Sequence, residues 1–301
     1  MSGPPAPVIS VDASSTADFG ARRRHRARAA LWYGSLLVPL GALYATFLGV
    51  PLVFVLRDAW LGAAESGGGF LATVSNRTYL MVLRRTMEIS TVTTLICLAL
   101  GFPLAYVLWR ASPLVRSVLI IAVLFPYWTS VVVRAYGWQV LLKRGGIVPV
   151  ALEWIGLLPS GSQLGSSRIG LYLGLVQILL PYLVLPVLAT LSRLDPQLLE
   201  AAYTTGARPL AAIRTVIVPL AVPGIVIGCL IVFAIAAGSF VIPALLGGLG
   251  DTMLAQVIAL QASELLNWPV AMALSVLLIV VTMAALTVIA FVGRRGLRAE
   301  R

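Results

Sequence analysis

Histidine and cysteine are scarce in this 301-residue chain, with one and two copies. The histidine, His25, lies in a basic N-terminal tail, and Cys97 and Cys229 fall inside apolar runs. No His/Cys cluster has metal-ligand spacing. The two cysteines read as small core residues and imply neither a disulfide framework nor a metal site. Charge is scarce too: Asp, Glu, Lys and Arg make up 11%, against about 25% in soluble domains. No Gly-rich phosphate loop followed by Lys-Ser/Thr occurs, so the chain is not expected to bind ATP itself. No apolar run carries the paired carboxylates or the His–acid pair of an intramembrane hydrolase. A proton-coupled carrier would hold several acids at membrane depth, and here only Glu88 is expected to come near it. Enzyme and self-driven carrier readings lose their chemistry on these grounds, and no cofactor is expected.

What the chain has is hydrophobicity: 59% of residues are apolar and the mean hydropathy is +0.98. Such a chain cannot cover itself with polar surface and belongs in a bilayer. Spanning takes about 20 apolar residues per helix. Six runs are long enough, near 31–56, 87–109, 118–142, 169–192, 216–246 and 269–292. The fifth is overlong and is punctuated by Gly228, Gly238 and Pro243, so part of it is expected to bend or re-enter. Residues 1–30 form a Pro/Ser/Ala-rich, then Arg-rich tail, expected to be flexible. Residues 293–301 form a second basic tail. The Arg cluster before 31–56 resembles a signal anchor, and that run is too long for a typical cleaved signal peptide.

Positive charge orients the chain. Fourteen Lys and Arg residues fall on the side holding both termini and the 193–215 loop, and seven on the other, with Arg134 inside the third run. That bias predicts cytoplasmic termini, a cytoplasmic 193–215 loop, and external 57–80, 143–168 and 247–268. The net charge of +11 then reflects topology. Nucleic acid is not an expected partner, because the arginines flank apolar runs and form no separate basic domain.

The polar stretch between the fourth and fifth runs stands out. Asp195 is a good N-cap and Pro196 suits the first helical position. Residues 196–205 read as a short helix, Gly206 suits a left-handed stop, and Arg208-Pro209 restarts a second short helix through about 215. Pro219 and Pro223 belong to the start of the next run. The result is a compact knob. Ala201 and Ala202 give it a thin face for a groove, and Glu200 is placed to pair with a basic residue of a partner. The same residues also suit an amphipathic connector whose alanines pack on its own bundle.

Glu200-Ala201-Ala202, three residues, Gly206, nine residues, then Val216-Ile217-Val218-Pro219 resembles the signature loop of permease subunits of binding-protein-dependent ABC importers. The resemblance implies that this loop docks on a cytoplasmic ABC ATPase. Three further blocks extend it across roughly residues 80–292. They are FPYWTSVVVRAYGWQVLLKRGG at 125–146, FVIPALLGG at 240–248, and Asn267-Trp268-Pro269 with Ala271 and Ala273. In order and spacing these resemble spermidine/putrescine-type permeases, specifically the first of the two permease subunits. The expected fold is an all-α, polytopic membrane protein with six transmembrane helices over 31–292, the ABC importer permease fold. The resemblance implies a second permease subunit, two ATPase subunits, an extracytoplasmic substrate-binding protein and membrane lipid as partners. It implies the plasma (inner) membrane as location and a polyamine as substrate. The alternatives are another small solute, such as an aminophosphonate or a metal chelate, or a self-driven carrier.

The expected pathway set is Glu88, Trp128, Arg134, Tyr182, Ser239 and Phe240. Trp128 follows Pro126-Tyr127 and offers an aromatic face to an organic cation, or an interfacial anchor. Arg134 is costly in lipid and should face the interior, with Glu88 as a candidate partner, or else snorkel outward. Trp128 and Glu88 are expected to share one cavity with Arg134 near its outer half. Many members of the resembling group carry an acid just before the Phe-x-x-Pro block, and this chain has Ser239 there, one counter-charge fewer for a cation. Gly247, Gly248, Gly250 and Trp268-Pro269 are expected outside, where a binding protein would dock, although ordinary loop chemistry accounts for them equally well.

Overall fold

A computed structural model describes residues 69–159, 161–195 and 208–298, together with Thr204 and parts of 38–57. Backbone contacts divide the chain into two units, Met1–Val55 and Leu56–Arg301. The described residues of the first unit are helical.

The second unit is all helix among its described residues. Its elements are α1 (Gly69–Val74), α2 (Arg77–Arg110), α3 (Pro113–Leu124), a 3₁₀ turn (Phe125–Trp128), α4 (Val131–Leu142), α5 (Ile147–Trp154) and α6 (Arg168–Leu191). Then come α7 (Pro209–Ala212), a π-helical turn (Ile213–Ile217), α8 (Val218–Ala237), α9 (Val241–Leu246), α10 (Leu254–Ser263) and α11 (Trp268–Arg298). Four helices are long and apolar enough to cross a membrane: 77–110, 168–191, 213–237 and 268–293. A broken pair, 113–128 with 131–154, adds a fifth if it counts as one span. Six spans remain compatible with this: the first expected run, 31–56, is described only in pieces, and those pieces are helical.

Local chemistry sets the helix ends. Asn76 caps α2, its side chain accepting from the Thr78 N–H at 2.9 Å. At 34 residues, α2 is about 50 Å long and outruns a hydrocarbon core of about 30 Å. It begins ten residues before the expected 87–109 run. Inside it, Thr86, Ser90 and Thr94 donate to carbonyls four residues back, which lets buried hydroxyls stay in the core.

The third run is corrected. In place of one helix over 118–142, its two halves meet at 101°. Pro126 sits in the 3₁₀ turn, Thr129 turns back to bond the Pro126 carbonyl, and α4 restarts after Ser130. Hydropathy cannot see the break, because both halves are apolar.

The expected stop near residue 215 is also corrected. Helix continues from Pro209 to Ala237 through the π turn. Pro219 lacks an N–H and its ring would press on the carbonyl four residues back, and a widened turn relieves both problems. The fifth run then breaks at Gly238–Phe240, separating α8 from α9.

The core is built around α6. Leu171, Leu175, Leu179, Leu183, Val187 and Leu191 are buried along it, and it packs between α2 and α8. Glycines allow close approach: a Cβ on Gly224 would stand 2.5 Å from Thr190 Oγ1 and 2.6 Å from the Pro186 carbonyl oxygen. By contrast, only 6% of the apolar stretch of α11 is buried, against 56% for α6, so α11 keeps its face for surroundings as apolar as itself. Cys97 and Cys229 sit buried in this core.

Candidate functional site

Two broken helices meet at the middle of an unbroken one. The 3₁₀ turn and the start of α4 lie on one side, the α8–α9 break on another, and residues 175–182 of α6 form the floor. Between them is a cavity of about 540 Å³. Irregular backbone at membrane depth is tolerated where it lines a cavity, and discontinuous helices of this kind build solute sites in transporters. Cross-links hold the arrangement. Gln139 on α4 donates to the Leu245 carbonyl on α9 at 2.7 Å, and the Trp138 indole N–H reaches Gln177 on α6 at 3.4 Å.

The wall is aromatic and hydroxylic. Tyr127 and Tyr182 pack with ring centres 5.2 Å apart and planes tilted by 59°. Phe240, Thr129, Ser130 and Ser239 complete the polar and aromatic lining, and Arg134 supplies the one charge. Its Nε and Nη1 are buried and have no hydrogen-bond partner among the described residues. Buried donors without partners are rare and costly.

The structure thus gathers four expected pathway residues, Arg134, Tyr182, Ser239 and Phe240, on one cavity. Glu88 and Trp128 are not in its lining, so the expectation that they share it is corrected. Trp128 is 78% exposed and turns outward from the 3₁₀ turn, and Tyr127 takes the inward place beside it. Glu88 does not partner Arg134. It is held by Arg168, whose Nη1 lies 3.0 Å from Glu88 Oε1 and whose Nε lies 2.9 Å from Asp251 Oδ1.

That ion-pair triad was not foreseen. Asp251 is buried, and its other oxygen accepts the Gly248 N–H at 3.2 Å. Arg168 opens α6, Glu88 lies on α2, and Asp251 ends the Gly247–Gly250 turn, so the triad ties three separate segments together. Its Glu88 arm is about half exposed and is worth little by itself, whereas the Asp251 arm is shielded and would be costly to break. The available signal was an acid and a base, each at the rim of an apolar run.

Of the loop residues, Glu200, Ala201, Ala202 and Gly206 lie outside the described residues. Pro219 sits at the start of α8, just after the π turn. The flanks of the loop are anchored: Arg116 of α3 donates to the Ser192 hydroxyl at the end of α6, 2.9 Å away.

The sequence matches the family described as "Binding-protein-dependent transport system inner membrane component" over residues 66–297. It is 34% identical over 239 residues to the spermidine/putrescine transport system permease protein PotB of Haemophilus influenzae, covering 76% of this chain and 83% of that one. The PotB protein of Escherichia coli is also 34% identical, over 203 residues, 67% of this chain and 74% of its own. Among solved structures, the fold resembles a chain of a bacterial alginate ABC transporter in complex with alginate pentasaccharide-bound periplasmic protein. The TM-score is 0.75 at 19% identity, with 91% of this chain and 97% of that one covered. The helical bundle, the cavity between broken helices and a family match across nearly all of the second unit agree: this chain belongs to the inner-membrane permease components of binding-protein-dependent ABC transport systems.

Proposed function

We propose that this chain is one permease subunit of an ATP-driven importer for polyamines of the spermidine/putrescine class. The observation that carries the substrate class is the 34% identity over 239 residues to a permease of that name. The permease performs no covalent step. It pairs with a second, different permease, rests on two cytoplasmic ATPase subunits, and receives solute from an extracytoplasmic binding protein at surfaces that include Gly247, Gly248, Gly250 and Trp268-Pro269. The pathway residues on this subunit are Arg134, Tyr182, Ser239 and Phe240, with Tyr127 added from the cavity wall.

The coupling runs through α6 and α8. Both helices flank the 196–208 segment, and both contribute to the cavity. Glu200, Ala201, Ala202 and Gly206 form the ATPase contact on this reading, and Pro219 starts the helix that carries their movement inward. ATP can bias the bundle only through contacts that differ between its two states, and a knob docked on moving ATPases is such a contact.

The test is uptake by proteoliposomes holding the assembled complex. Spermidine or putrescine should accumulate only with ATP, the ATPase subunits, the second permease and the binding protein all present. Uptake by this chain alone would identify a self-driven carrier and end the reading.

Orientation is a second expected result. We place both termini and the 193–215 loop in the cytoplasm of a multi-pass plasma (inner) membrane protein, from the bias of fourteen basic residues to seven. In sealed cells carrying a variant with Cys97 and Cys229 replaced, Thr205→Cys should resist an impermeant thiol reagent added outside. Rapid labelling there would invert the topology.

A further inference from the structure

The cavity is walled by this chain on some sides only. Its lining comes from the 3₁₀ turn and α4, from α6 and from the α8–α9 break, and Tyr127, Val131 and Phe240 of that lining stay exposed. Hydroxyls and a charged group left against hydrocarbon at such a depth are costly. The charge is incomplete as well: no carboxylate is among the described lining residues, and Arg134 has the same sign as a polyamine. Next to this opening runs a bare helix face. Val133, Tyr136, Gly137 and Val140 of α4 recur at i, i+3, i+4 and i+7 and so share one side. All four are exposed, Val133 by 65% and Val140 by 59%, whereas Ala135 and Leu142 on the opposite side are buried. Gly137 lies in the middle of the bare side. Glycine is the poorest helix former after proline, and a Cβ at this position would meet nothing within 4 Å, so packing among the described residues does not account for it. Small residues in membrane helices admit the close approach of a second helix.

From this juxtaposition we infer that the Gly137 face of α4 is the seat of the second permease, and that a helix of that partner, carrying carboxylates, closes the cavity and completes the polyamine site. The bare face supplies the contact, and Gly137 lets the partner's backbone come close. The partner's acids supply the counter-charge that this wall lacks, opposite the aromatic faces of Tyr127, Tyr182 and Phe240, which suit an ammonium group. A face turned to lipid would have no use for a glycine and would leave the polar opening against acyl chains. The inference rests on the import reading and names the surface and the chemistry of one partner within it.

The test is Gly137→Leu. Leucine is a good helix former and this chain leaves room for it, so the unfolding midpoint of the isolated full chain should hold or rise. In the complete complex the same side chain enters a packed contact. Overpacking there should lower co-purification of the second permease by about five- to a hundredfold, with Gly137→Ala falling in between. A second measurement does not depend on a bulky variant. Val133→Cys, spin-labelled with Cys97 and Cys229 replaced, should meet oxygen dissolved in the bilayer when the chain is alone and lose most of that access in the complex. Completion of the site is read at Ser239→Cys in the cavity wall, in the same background. Spermidine should slow its labelling by a small thiol reagent in the complex and leave it unchanged in the chain alone. Normal pairing and uptake in Gly137→Leu, or equal oxygen access at position 133 with and without the partner, assigns the face to lipid and overturns the inference. Equal protection by spermidine in the chain alone overturns it too, because the site would then be complete without the partner. Failure of the import reading looks different: the unsubstituted complete complex would show no ATP-dependent polyamine uptake.

Discussion

Glu200→Lys is expected to abolish ATP-driven uptake while the chain still inserts and assembles its spans. Glu200 begins the Glu-Ala-Ala segment of the polar loop between α6 and α7, and in the proposed assembly it meets a basic groove on the ATPase. Reversing its sign replaces attraction by repulsion and leaves the opposing cation without its partner, a change that costs about 2–5 kcal/mol at a buried, hydrogen-bonded charge pair. A cost of that size lowers association by more than tenfold. Gly206→Val should act through the backbone instead. The left-handed stop expected at Gly206 would call on a backbone region that a β-branched residue strongly resists. The two variants therefore disable the knob by independent routes. The check is co-purification of the ATPase with the permease, together with uptake per inserted chain. Retention of the ATPase and normal uptake in both variants would remove the docking argument and leave this segment a connector.

Composition and motif spacing read the membrane class and the family correctly, because both are carried by residues close together in the chain. The cavity was legible in part for the same reason. Arg134, Ser239 and Phe240 stand within the two motif blocks or at their edge, and those blocks turn out to be the two breaks that face each other across α6. Partner choice was not legible. Arg168 meets Glu88 across 80 positions of sequence and Asp251 across 83, and such pairings depend on how helices pack. Trp128 was the expected inward aromatic and Tyr127 takes that place, because adjacent residues in a 3₁₀ turn point about 120° apart. Neighbouring aromatics do not reveal which of them faces in until the turn is known. The 101° break left no mark in hydropathy, because apolar content measures solvent preference and a bent span and a straight one share it; Pro126 was its local signal.

The largest structural effect is expected where α6 and α8 cross near the proposed ATPase side. Gly224→Val should destabilise the isolated chain and uncouple whatever remains folded. The hydrogen on Gly224 faces Thr190 Oγ1, the Pro186 carbonyl oxygen and Thr190 Cβ, and a Cβ would lie 2.5, 2.6 and 2.9 Å from them. One of these atoms belongs to the backbone of α6, so no side-chain rotation can clear the space. Thr190 Oγ1 is also committed, donating to the Pro186 carbonyl at 2.9 Å. The helices must move apart, and overpacking of this kind costs about 1–3 kcal/mol. The gain in helix propensity on replacing glycine is at most about 1 kcal/mol and is smaller for valine, whose χ1 is restricted. The clash therefore wins. Two comparisons separate this cause from a general intolerance of change. Gly137→Ala on α4 has nothing within 4 Å of its new Cβ and should leave the unfolding midpoint of the isolated chain unchanged or slightly raised. Thr190→Ala added to Gly224→Ala should recover only part of the loss, because it removes the hydroxyl and leaves the Pro186 carbonyl in place. Full recovery would assign the contact to the side chain alone, and unchanged stability in Gly224→Val would mean that the helices do not cross this closely. The functional consequence follows from the position of the contact. Gly224 and Thr190 lie between the 196–208 segment and the cavity on both helices, so a crossing pushed apart there lets the knob move without carrying the cavity with it. Transport per folded complex should then fall further than the amount of folded complex does.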